Sequence, residues 1–178
     1  MVKRLASLAL ILGLALLVGC GGDDDDGGSA SGDGEQQSGP IVIGGALGMT
    51  GIYEPYDVMG LNAIKLKVDE VNAAGGIEGR KIKIITEDTK SEIPRGAATA
   101  QKLLDQGAEI FLVSCDFDFG SPSATVAPQA GKIVFSVCAQ SPKFGVQGIG
   151  DKAYSVATTV NADGAAHGAF AEKQGYEK

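Results

Sequence analysis

Tryptophan is absent from this 178-residue chain, histidine occurs once, cysteine three times, and aromatic residues make up only 6% of the total. Each shortage excludes something. The one histidine, His167, falls on a late helical stretch away from the predicted strand ends. It reads as a surface residue and leaves no histidine to activate a nucleophile. Neither H-E-x-x-H nor C-x-x-C occurs, so no metal site is expected. Basic residues are outnumbered, with 15 Lys and Arg against 22 Asp and Glu and a formal net charge of −7. A nucleic-acid partner needs a clustered basic face and is not expected. The glycine turn "GGALGMTG" also lacks the spacing of a dinucleotide fingerprint. From Gly44 the third position is Ala46, and from Gly45 it is Leu47. No G-K-[ST] phosphate loop occurs. An enzyme is not expected, and no cofactor is implied.

What is present begins with an export signal. Lys3 and Arg4 precede an almost wholly apolar run from Leu5 to Val18. A comfortable membrane span needs roughly 20 apolar residues, so the run suits a signal-peptide core instead. It ends in Leu17-Val18-Gly19-Cys20, which resembles the lipobox of bacterial lipoproteins. The resemblance implies a signal peptide over residues 1–19 and a lipidated Cys20 as first residue of the mature chain. Residues 20–39 then form an acidic Gly/Ser tether with no large apolar side chain to bury. Asp23 to Asp26 lack EF-hand spacing, and a self-repelling tether that holds the domain off an anionic membrane is the better reading.

The remaining body of about 140 residues suffices for one domain. Strands and helices alternate along it. Residues 41–46 read as strand one. Val58, Leu61, Ile64, Val68 and Val71 recur at helical spacing, predicting a helix over 56–74 that stops at Gly75 and Gly76. Residues 81–88 alternate as strand two. A helix follows from Pro94 to Gln106, then strand three at 109–114. Ser121-Pro122 reads as an N-cap with proline at the first helical position, opening a short helix limited by Pro128 and Gly131. Residues 132–137 are strand four, 153–159 a fifth extended piece, and 162–175 a weaker helix. This order predicts an α/β fold: a doubly wound parallel sheet with helices on both faces. In such sheets ligands lie beyond the carboxyl ends of the strands. The loops after strands one, three and four are therefore the candidates.

Three segments, "IVIGGALGMTG", "VDEVNAAGGIEGRKIKIITED" and "AATAQKLLDQGAEIFLV", resemble the periplasmic binding proteins of the branched-chain amino acid type, with N-A-A-G-G-I-x-G-R-K-I the most specific piece. The resemblance implies the first lobe of a two-lobed type I binding protein. Its function would be to capture an amino acid or a related small polar or aromatic solute for an ABC importer. It implies the importer's membrane subunits as partners, a cell-envelope location on the outer face of the cytoplasmic membrane or in the periplasm, and a monomer. The alternative is the extracellular sensing domain of a signalling receptor. Two lobes of ~150 residues need roughly 300. The expectation is therefore an N-terminal fragment, with lobe one over 40–160, a crossover near Thr158 to Asn161, and the start of lobe two over 161–178. Such a fragment is expected to bind its solute poorly.

By the same resemblance, a tyrosine after strand one packs on the ligand. Tyr56 matches best, with Tyr53 close behind. After strand three, "CDFDFGSPS" places Asp116 and Phe117, then Asp118 and Phe119, where the family often has small hydroxyl residues. Two carboxylates there repel an anion, unless they cap the next helix or face solvent. An amide, a cation or an aromatic solute is therefore open. After strand four, Cys138, Ala139 and Gln140 fall where the family uses a backbone carbonyl and a hydroxyl. Cys115 and Cys138 each follow a strand. On adjacent strands they are close enough for a disulfide; otherwise both are buried thiols. Asp88 reads as a loop-shaping residue rather than a ligand contact.

Overall fold

A computed structural model describes residues 39–176. The export signal, Cys20 and all of the tether but Gly39 lie outside the described residues.

Short apolar runs set most of the strands, as befits a buried parallel sheet, and one run alternates; each strand is followed by a helix or a long connection that returns the chain to the same end. Strand β1 (Ile41–Leu47) leads to α1 (Glu54–Ala73), then β2 (Ile82–Asp88). A 3-10 turn (Ile93–Arg95) precedes α2 (Gly96–Asp105), β3 (Ile110–Val113) and α3 (Phe117–Gln129). Then come β4 (Ile133–Ser136), β5 (Ala153–Ser155) and α4 (Val160–Lys173). The five strands pair in parallel in the order β2-β1-β3-β4-β5. The chain steps to one side of β1 and then to the other, so a topological switch point lies between β1 and β3. Helices cover both faces of the sheet, as expected.

The core lies between the sheet and the α2–α3 pair. Phe111, Val113 and Val134 of the strands meet Ala100, Leu103, Ala124 and Ala127 of the helices, all buried. Small residues let the two helices approach closely. A Cβ at Gly96 would lie 2.9 Å from Pro122 Cβ and 3.0 Å from Ser123 Oγ, so only glycine fits. Ser123 Oγ instead donates to the Gly96 carbonyl at 2.9 Å, satisfying a buried hydroxyl where the helices touch. On α1, Leu61 and Val68 of the predicted stripe are buried.

The structure departs from the sequence expectation in four places. Helix α3 starts at Phe117, not at Ser121, so Ser121 and Pro122 lie inside it. Its N-cap is Asp116, whose Oδ1 accepts from Asp118 N at 2.8 Å and Phe119 N at 3.4 Å. The earlier start lets the helix bury Gly120, Ser123, Ala124 and Ala127, which outweighs the hydrogen bonds that Pro122 and Pro128 cannot donate. Pro94 falls in the 3-10 turn ahead of α2 rather than in its first turn. Strand β5 ends at Ser155, because Ser155 Oγ turns back to accept from Ala157 N at 3.2 Å. Helix α4 begins at Val160, capped by Thr159, whose side chain accepts from Ala162 N at 3.4 Å.

Candidate functional site

Three loops leave the carboxyl ends of β1, β3 and β4, and a buried network fixes their paths. At its centre is Asp57, fully buried on α1. Its Oδ2 accepts from Gly48 N at 2.7 Å and its Oδ1 from Cys115 N at 2.8 Å. One carboxylate thus ties the loop after β1 to the loop after β3 at the switch point. Sequence reading did not single out Asp57. The signal was there: an acid four residues before Leu61 on an otherwise apolar helical stripe.

The β1 loop is held from its other side by the end of β2. Asp88 Oδ1 accepts from Met49 N at 2.9 Å, Thr50 N at 3.3 Å and Lys90 N at 2.7 Å, while Oδ2 accepts from the Thr50 hydroxyl at 2.7 Å. Burial alone would raise the Asp88 pKa, but the Thr50 hydroxyl and these N–H donors outweigh it and hold the carboxyl below its ordinary value. Asp88 shapes the loop, as read from the sequence. Ser91 adds a second tie, donating to Thr50 O at 2.7 Å and accepting from Tyr53 N at 3.0 Å. Lys90 and Ser91 both adopt positive φ, 56° and 54°, a conformation that these contacts must hold in place.

The β4 loop is set by two serines. Ser136 Oγ donates to Ser114 O at 3.0 Å and accepts from Ala139 N at 2.9 Å, while Ser155 Oγ donates to Ala139 O. Ala139 is therefore buried with both backbone groups engaged. The carbonyl expected to face a ligand already accepts from Ser155. Cys115 and Cys138 form a disulfide, with Cα atoms 4.4 Å apart, because β3 and β4 are hydrogen-bonded neighbours.

These loops enclose a cavity of about 730 Å³, open on one side. The β1 loop and α1 contribute Ile52, Tyr53 and Tyr56; the β3 loop and α3 contribute Cys115, Asp116 and Phe117. From the β4 loop come Cys138, Gln140, Ser141 and Pro142. Ala157 and Val160 complete the wall. Of the residues expected to meet a ligand, Tyr53, Tyr56, Asp116, Phe117, Cys138 and Gln140 are brought together here, and Ala139 is not. Asp118 is exposed and does not line the cavity, and His167 is exposed on α4. The sequence reading missed Ile52, Ser141, Pro142, Ala157 and Val160. Ala157 lies in the β5–α4 connection, within the extended piece expected at 153–159, and Val160 opens α4.

The rings of Tyr53 and Tyr56 are tilted at 49° with centroids 6.1 Å apart, and Tyr53 leans on Phe119 at 4.6 Å. Burial raises the Tyr53 phenol above its ordinary pKa, and the negative charges of Asp116, Asp118 and Asp57 push the same way. Gln140 Nε2 donates to Asp163 Oδ2 at 3.0 Å, linking the β4 loop to the first turn of α4. The wall therefore carries a few polar groups on an apolar and aromatic surface, which is the composition of a small-solute site.

A family model described as periplasmic binding protein matches residues 40–178. An amino acid binding protein of Pseudomonas aeruginosa is 29% identical over 110 residues, which span 61% of this chain and 29% of that protein. The Leu/Ile/Val-binding protein homolog 1 of Brucella abortus is 28% identical over 109 residues, again 61% of this chain and 29% of the relative. The crystal structure of the branched-chain amino acid transporter substrate binding protein LivJ of Streptococcus pneumoniae, in complex with isoleucine, superposes with a TM-score of 0.62 at 26% identity. That match covers 67% of this chain and 34% of LivJ. The chain thus spans about a third of the length of the relatives it matches.

Proposed function

The chain belongs to the periplasmic binding protein family, and from that premise we propose that it is the solute-capturing receptor of an ABC importer, working in the cell envelope. One observation carries the reading: loops from three separate strands, fixed by Asp57, Ser136 and a disulfide, converge on one cavity at the switch point of the sheet. In the proposed receptor this wall, residues 40–160, faces a second lobe beginning near residue 161. The solute, an amino acid or a related small polar or aromatic compound, is held between the two. The amino-acid-binding relatives and the isoleucine-bound neighbour support that solute class. Cys20 carries a lipid that anchors the receptor to the membrane through the tether of residues 20–39. The importer's membrane subunits are its partners, and it works as a monomer.

A thermal-shift screen of the full-length protein, second lobe included, against amino acids, amides and aromatic acids tests this. A binder at ~100 times its Kd raises Tm by about 5 °C or more, and Tyr56→Ala is expected to abolish the rise. Melting temperatures unmoved by every compound at millimolar concentration would count against the receptor reading.

A further inference from the structure

The charges around the cavity name a ligand class. Two helices start at its wall, and helix N-termini ordinarily attract anions through free N–H donors and the helix dipole. Here both starts are already occupied by the protein's own side chains. Asp116 Oδ1 takes the N–H groups of Asp118 and Phe119 at α3. At α4, Thr159 accepts from Ala162 N, and Asp163 adds a carboxylate to the first turn. An incoming carboxylate would find two N–H groups of the first turn of α3 and one of α4 already taken, and Asp116 facing it. Among the described residues no Lys, Arg or His lines the cavity to offset that charge. Among the described residues no ion pair neutralises Asp116.

What the wall does offer is acceptors and ring faces. Outside the cap, the Asp116 carboxylate partners the Tyr53 hydroxyl, and its negative charge stays on the wall. Gln140 has spent its amide nitrogen on Asp163, which fixes the flip and leaves its oxygen as an acceptor. The rings of Tyr53, Tyr56 and Phe117 border the same space, and aromatic faces within about 6 Å attract cations. Resting on the receptor reading above, we propose that this wall selects a small organic ammonium ion without a carboxylate. The ammonium group meets Asp116 and the Gln140 oxygen, and the organic part lies against Tyr53, Tyr56 and Phe117. A zwitterionic amino acid is disfavoured because its carboxylate would meet the Asp116 charge with no lining cation among the described residues to offset it.

Titration calorimetry of the full-length protein, second lobe included, with four probes tests the assignment: 2-phenylethylamine, its neutral isostere 2-phenylethanol, L-phenylalanine and L-leucine. The amine is expected to bind about tenfold or more tighter than the alcohol and than either amino acid. Asp116→Asn keeps the helix cap, since asparagine caps as well as aspartate, and removes only the charge. It is expected to cost the amine about tenfold in affinity and leave the alcohol unchanged, with the unfolding midpoint in urea unmoved. Binding of L-leucine or L-phenylalanine with a weaker amine overturns the ammonium assignment and leaves the receptor reading standing. An amine affinity indifferent to Asp116→Asn also overturns it. Silence from all four probes overturns it too, and the receptor reading then rests on the wider thermal-shift panel.

Discussion

Asp57 and Asp88 are two carboxylates a few ångströms from the same loop, and burial gives them different work. Asp57 has no access to solvent, and its two oxygens serve Gly48 N and Cys115 N. Replacing it with alanine strands both donors in the interior. The expected cost is about 3 kcal/mol of folding stability, read as a lower urea midpoint, and Asp57→Asn should fall between the two. Asp88 is only half-buried, and its effect is on pH response. Its folded pKa lies below its ordinary value because bound hydroxyl and N–H donors favour the charged form. The stability it contributes is complete above the unfolded carboxyl pKa of about 3.9. It is lost as pH falls from there through the depressed folded value. Acid titration of unfolding should therefore show a shallower loss below about pH 4 in Asp88→Asn than in the parent chain. Identical slopes would mean that the Thr50 and Lys90 contacts do not persist in solution.

At the scale of elements, the disulfide is the most exposed claim to experiment. It joins the ends of β3 and β4 across 23 residues of sequence. Closing a loop of that length stabilises a fold by about 3 kcal/mol through the unfolded state. The double variant Cys115→Ser/Cys138→Ser should lose about that much, and dithiothreitol should destabilise the parent chain equally while leaving the variant unmoved. Most elements were legible in the residues. The apolar stripe of α1, the alternating run at 81–88 and the apolar runs at 41–46 and 109–114 are plain in the residues. The start of α3 was not legible, because two capping signals stand in tandem. Asp116 and Ser121-Pro122 both satisfy local rules, and only packing of Gly120 and Ala124 against the sheet decides between them. The site divides in the same way. Tyr56, Phe117 and Gln140 were found because the resemblance and the strand order both point to the loops after β1, β3 and β4. Ala139 is held by Ser136 and Ser155 and falls outside the cavity lining, and Val160 was missed because its position depends on where β5 turns.

At the scale of the whole molecule, the order β2-β1-β3-β4-β5 turns scattered residues into a site. Tyr56 and Gln140 are far apart in sequence and share a cavity because β1, β3 and β4 run parallel and end together. The same topology leaves the cavity open on one side, which suits a wall that works against a partner lobe. The most direct test is amide NMR of the full chain, titrated with whichever solute most raises its melting temperature. One solute bound at the convergence of three loops should shift the amides of Tyr56, Phe117 and Gln140 together, along one isotherm with a common Kd. Shifts confined to one loop, or three isotherms with unrelated constants, would contradict the account.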